Sequence, residues 1–142
     1  MRLEEELEGL LDVLDKIKSE RKDIPIIVEG KKDIEALHRL GIERKIIKIK
    51  AGKPIFRIIE GLRGEHEKVI ILTDWDPTGR TLCHKIKKAC ESNAIVYNVE
   101  YRKQLIKFLK KEVKDVESIP SFIERAERSL GREIKTREHS KR

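Results

Sequence analysis

Three acids stand just after short apolar runs. Ile24-Pro25-Ile26-Ile27-Val28 ends at Glu29, and Val69-Ile70-Ile71-Leu72-Thr73 is followed by Asp74-Trp75-Asp76. Asp74 and Asp76 are alternate residues, so in extended backbone both side chains point the same way and Trp75 points elsewhere. Three neighbouring carboxylates repel one another unless a cation joins them. Hard oxygen donors with water suit Mg²⁺ or Mn²⁺ better than zinc. The competing reading is a set of loop acids that cap helices and bind water. An Asp-x-Asp pair alone does not separate the two readings; the Glu29-Gly30 pair after another strand favours the first.

For the acids to meet, the chain must bring two strand ends together, and its pattern does so. From Asp23 onward, short Val/Ile runs alternate with helical segments. The strands are Ile24–Val28, Ile46–Ile49, Val69–Leu72 and Ala94–Val99. The helices are Asp33–Leu40, Pro54–Leu62 and Arg80–Ser92. Near-continuous apolar strands between helices predict an α/β fold, with a parallel sheet covered on both faces. Ligands bind such sheets beyond the strands' carboxyl ends, where the strand order reverses. If the first and third strands are neighbours, the order is 2-1-3-4 and Glu29 faces Asp74 and Asp76 across that reversal.

The flanks read differently. In residues 1–20, Leu3, Leu7, Leu10, Leu14 and Ile17 form the stripe of an amphipathic helix. This helix either packs on the domain's own core or offers a seam to a protein partner or a second copy. Residues 102–131 read as a basic helical appendage to the domain at 21–101. One helix runs over 102–113, with Lys103, Lys107, Lys110, Lys111 and Lys114 as a continuous lysine stripe. A shorter helix runs from the Ser121–Glu124 capping box to Leu130, where Gly131 ends it. Residues 132–142 are nearly free of apolar side chains and read as a mobile tail. Cys83 and Cys90 share one helix face, too far apart for a disulfide, and are expected to be buried thiols.

Charge points to the partner. The chain has 142 residues and a formal net charge of +7, distributed as −4 over 1–20, +5 over 21–101 and +6 over 102–142. A basic end beside a compact domain suits a polyanion, most often nucleic acid. A charge-rich thermophile surface would look similar. No apolar run reaches membrane-spanning length, and the expectation is a soluble cytoplasmic protein.

Val28-Glu29-Gly30-Lys31-Lys32-Asp33 and Leu72-Thr73-Asp74-Trp75-Asp76-Pro77-Thr78-Gly79-Arg80, within residues 23–101, resemble the Toprim domain. Topoisomerases, bacterial-type primases, overcoming-lysogenization-defect nucleases, recombination mediators and ribosomal-RNA maturation nucleases share that domain. The chain is similar to the small stand-alone Toprim proteins of archaea and to the ribosomal-RNA nuclease group. The resemblance implies that Glu29 is the acid/base or metal-binding glutamate and that Asp74 and Asp76 are the metal-binding pair. Gly79 and Arg80 match the glycine and arginine that often follow. Thr78 stands where topoisomerases often carry a third acid, and the chain is too small for a complete topoisomerase.

The expected function is a Mg²⁺- or Mn²⁺-dependent phosphodiester enzyme, a small nuclease acting on RNA or structured nucleic acid, with RNA or DNA as the partner. Glu29, Asp74, Asp76, Lys31 and Arg80 would be its catalytic set, with the two cations neutralising phosphate. Lys32, Lys53 and the lysine stripe would bind nucleic acid, and Trp75 would either stack on a base or pack on its own loop. The alternative is a non-catalytic nucleic-acid-binding or scaffold module on the same fold.

Overall fold

The computed structural model describes residues 1–109 and 112–140, with side chains through residue 131. Its elements are α1 (Leu3–Ser19), β1 (Ile26–Val28), α2 (Lys31–Arg39), β2 (Ile46–Lys48), α3 (Ile55–Glu60) and β3 (Lys68–Ile71), followed by α4 (Pro77–Ser92), β4 (Val96–Asn98), α5 (Glu100–Leu109) and α6 (Ile119–Ser140). The four strands form one parallel sheet in the order β2-β1-β3-β4. Ile26 pairs with Ile46 on one side and Ile70 on the other. The expected fold class and strand order are therefore observed.

Side-chain alternation sorts the strands' residues into two cores. Ile26, Val28, Ile70 and Leu72 face a core shared with α1, α2, α5, the segment after α5, and α6. Ile27, Val69 and Ile71 face the opposite core, closed by α3 and α4. Cys83 and Cys90 lie in this second core as free thiols. Burial pushes the Cys90 thiol up to about 11, so it behaves as a small apolar side chain.

The first helix and the helices after β4 pack into the same core as the sheet. The α1 stripe of Leu7, Leu10, Leu14 and Ile17 is buried on the domain's own core, with α5 and α6 packed against the helix. Gly9 makes this closeness possible, because a Cβ there would collide with the Phe108 ring. Arg44 fixes the far end of α1. Its guanidinium donates to the Ile17, Glu20, Arg21 and Ile24 carbonyls at 2.6–3.0 Å, supplying donors at a helix end that lacks its own.

The C-terminal segment departs from expectation in three ways. The helix expected to reach Val113 ends at Leu109, and the chain then turns to bury Val113 and Val116. Lys110 and Lys111 lie outside the described residues. The next helix starts at Ile119, before the expected capping box at Ser121, with Pro120 in its first turn. It also passes through Gly131 to Ser140, where a short helix and a mobile tail were expected. Gly131 lacks the positive φ of a glycine that closes a helix, so it costs the helix some stability without ending it.

Candidate functional site

β1 and β3 are neighbours, so the residues just past them share one edge of the sheet. Glu29 is buried, and its Oε2 accepts the Asp74 backbone N–H at 2.9 Å. Its Oε1 lies 3.8 Å from Lys50 Nζ. Asp74 Oδ1 accepts the Val116 N–H at 3.0 Å. Burial pushes the Asp74 carboxyl up to about 7; the Val116 hydrogen bond opposes that shift, and Asp33, Glu29 and Asp115 add repulsion. Asp33 is buried in the first turn of α2, where its Oδ2 accepts the Gly30 N–H at 3.0 Å. Burial raises its pKa as well, with the Gly30 bond opposing and Glu29 adding to the rise. Asp76 does different work. Its Oδ1 accepts the Gly79 N–H at 2.6 Å and caps α4. Glu29 and Asp74 are thus brought together, while Asp76 turns to the helix. Among the described residues, no three His, Cys, Asp or Glu side chains form a ready-made metal-ligand group.

The loop that carries the two aspartates is tightly held. Thr73 Oγ1 donates to the Gly79 carbonyl at 2.9 Å. A Cβ on Gly79 would collide with the Asp74 carbonyl, so only glycine lets α4 approach this closely. Arg102 of α5 is buried and donates from Nε to the Thr73 carbonyl at 3.0 Å and from Nη2 to the Asp74 carbonyl at 2.8 Å. Trp75 donates from Nε1 to the Val113 carbonyl at 2.7 Å and from its backbone N–H to the Lys114 carbonyl at 3.0 Å. Trp75 packs its indole partly against the core and also lines the open cleft beside Asp76.

Two acids thus meet on neighbouring strand ends of a 2-1-3-4 parallel sheet. The Toprim domain profile matches residues 24–107. This chain belongs to the Toprim domain family. It is 38% identical over 87% of its length to a UPF0292 protein of Methanocaldococcus jannaschii, covering 96% of that protein. A UPF0292 protein of Methanosarcina barkeri is 35% identical over 75% of this chain and 73% of its own. A solved structure of a protein from Aquifex aeolicus superposes with a TM-score of 0.65 at 30% identity, covering 76% of this chain and 95% of that one. The chain is thus similar to small archaeal proteins.

Around the Toprim edge the expected cations take varied positions. Arg80, in the first turn of α4, lines an open cleft of about 440 Å³ beside Asp76, together with Trp75, Pro77, Ile106 and Lys114. Lys31 and Lys53 are exposed, at the start of α2 and in the loop after β2. Lys32 pairs with Glu117 at 3.8 Å and Lys103 with Glu100 at 4.0 Å, while Lys107 sits over the Phe108 ring. The expected stripe is therefore not one helical face. α5 ends before Lys114, which docks with its loop at the acid edge. Asp33, Lys50 and Arg102 were not expected at the site. Gly30-Lys31-Lys32-Asp33 has the spacing of a helix-start cap and could have signalled Asp33. Arg102 carried no local signal, because its partners are carbonyls nearly thirty residues away.

Proposed function

We propose that this Toprim protein is a Mg²⁺- or Mn²⁺-dependent nuclease acting on RNA or DNA. The observation that carries the reading is the Glu29 Oε2 that accepts the Asp74 backbone N–H, which ties together the two acid-bearing strand ends of a basic chain. Toprim domains typically bind divalent metal ions. The donor chemistry fits, because mutually repelling oxygen donors are clustered at the edge. Mg²⁺ commonly takes one or two carboxylates plus waters and substrate phosphate, and does not require a protein cage. Glu29 and Asp74 would hold the ion, with Asp76 joining if it leaves its cap. The bound ion would supply charge to polarise a phosphodiester and ease deprotonation of water.

The protein's own groups do the rest. Glu29 would accept a proton from the attacking water. Arg80, Lys31 and Lys114 border the edge and would neutralise the phosphate as its charge grows. Lys32 and Lys53 would hold flanking backbone. Arg102 and Gly79 are positioning residues that fix the loop carrying Asp74.

One observation favours a second reading, a nucleic-acid scaffold without turnover: the Asp76 carboxylate is committed to Gly79, and among the described residues no three-ligand group stands ready. Labelled RNA and DNA panels, incubated with and without Mg²⁺ or Mn²⁺, separate the two. The enzyme reading predicts metal-dependent cleavage that falls about 10²–10⁴-fold in Glu29→Gln, with binding of the same substrate retained. Binding without cleavage in wild type would support the scaffold. Cleavage at full rate in Glu29→Gln would assign it to another site or a contaminant.

A further inference from the structure

The face formed by α3 and α4 holds an open apolar pocket of about 310 Å³. Ile55, Phe56 and Ala89 provide its apolar surface, and His84, Lys85 and Lys88 stand around it. Phe56 is 47% exposed, an unusual state for a phenylalanine in the first turn of a helix that packs on the core. None of His84, Lys85 and Lys88 is ion-paired among the described residues, and no acid lines the pocket. Arg80, His84, Lys85 and Lys88 follow one another at i, i+4, i+5 and i+8 along α4, so they share one side of the helix. That side begins one turn after Asp76 and extends about 12 Å to Lys88.

We propose that this face is a binding track for single-stranded nucleic acid, in which one unpaired base stacks on Phe56 while Lys85 and Lys88 hold the adjoining phosphates. It rests on the nucleic-acid reading above and narrows the substrate to strands with accessible bases. An exposed aromatic ring beside unpaired cations is the combination that binds single strands without sequence preference, because every base offers a flat π-face. The pocket lies at the lower end of ligand-site volumes and is open, which suits one planar group better than a large enclosed ligand. A second copy of the chain is disfavoured as the occupant. A two-fold contact through this face would bring the same Lys85 and Lys88 from both copies together.

The test is anisotropy of a labelled oligouridylate, a labelled oligodeoxythymidylate and a blunt duplex, with wild type, Phe56→Ala, Phe56→Tyr and Lys85→Ala/Lys88→Ala. Phe56→Ala should weaken single-strand binding about five- to hundredfold and leave the duplex unaffected, and Phe56→Tyr should restore it. The double lysine variant should make the salt dependence shallower by about 1.4 in log–log slope, since two phosphates of a single strand are no longer neutralised. A polyglutamate competitor, which has no bases, should be displaced by salt equally from wild type and Phe56→Ala. Wild-type binding that is unchanged in both Phe56→Ala and the lysine variant would overturn the track alone. Failure of wild type to bind any of the three nucleic acids would overturn the nucleic-acid reading with it. A wild-type dimer that dissociates in Phe56→Ala, seen by sedimentation, would assign the face to self-association instead.

Discussion

At the scale of single residues, the acid edge stores electrostatic tension. Asp74 is held up to about 7 by burial against an unfolded value near 3.8, and Asp33 is shifted in the same direction. Between those two pH values Asp74 binds more protons in the folded chain than in the unfolded one, so its contribution to stability falls as pH rises through that window. With chelator present, melting temperature should therefore decline from about pH 4 to pH 7, and Asp74→Asn should flatten the decline. A melting temperature that climbs over that window in wild type would contradict the burial argument. Glu29 and Asp74 were legible as a pair because each closes an apolar run, and strand adjacency follows from topology rules. The individual duty of Asp76 was not legible. Asp-x-Asp spacing is the same whether the second acid faces a ligand or caps the next helix, and only the Gly79 N–H decides it.

At the scale of elements, the strands and the helices between them declared themselves through apolar periodicity, whereas the segment after β4 did not. The apolar spacing of residues 105–113 continues past the point where α5 stops, because Val113 and Val116 are buried by a loop docked on Trp75. Periodicity records burial, and it cannot tell a helical turn from an irregular segment that buries the same residues. Arg44 is the element-scale analogue of Arg102: one side chain closes the end of α1 against the strand that follows it. Arg44→Ala leaves several carbonyls in that junction without a donor and should lower stability by about 2–3 kcal/mol, measured by urea unfolding. Arg44→Lys should recover only part of it, since one ammonium cannot reproduce a planar fork. A change within about 0.5 kcal/mol for Arg44→Ala, the usual range for ordinary surface substitutions, would show that water replaces the guanidinium at little cost.

At the scale of the whole molecule, folding packs the acidic first segment against the basic segment that follows β4. The acidic first helix packs on α5 and α6, and α5 itself contributes Arg102 and Ile106 to the cleft beside Asp76 that Arg80 and Lys114 border. No helix among the described residues is long and apolar enough to cross a membrane. Composition predicted a polyanion partner, but it could not locate the binding surface, because net charge does not say where the basic side chains gather. Reversing the charges of Arg80 and Lys114 together should weaken binding to all nucleic-acid sequences. The salt slope should become shallower by about 0.7–0.9 for each phosphate no longer neutralised. An unchanged slope would place the phosphates elsewhere.

The central question is whether the Glu29–Asp74 edge takes a divalent cation. Titration of metal-free protein with Mn²⁺, followed by calorimetry and by melting temperature in the same samples, measures this without requiring a substrate. The predicted result is saturable binding to wild type, with stabilisation of about 2.7 kcal/mol at a hundredfold excess over the dissociation constant. Asp74→Asn should lose both signals while staying folded, and Asp76→Asn should retain its helix cap whether or not it weakens the ion. Equal binding and equal stabilisation in wild type and Asp74→Asn would contradict a metal centre at this edge.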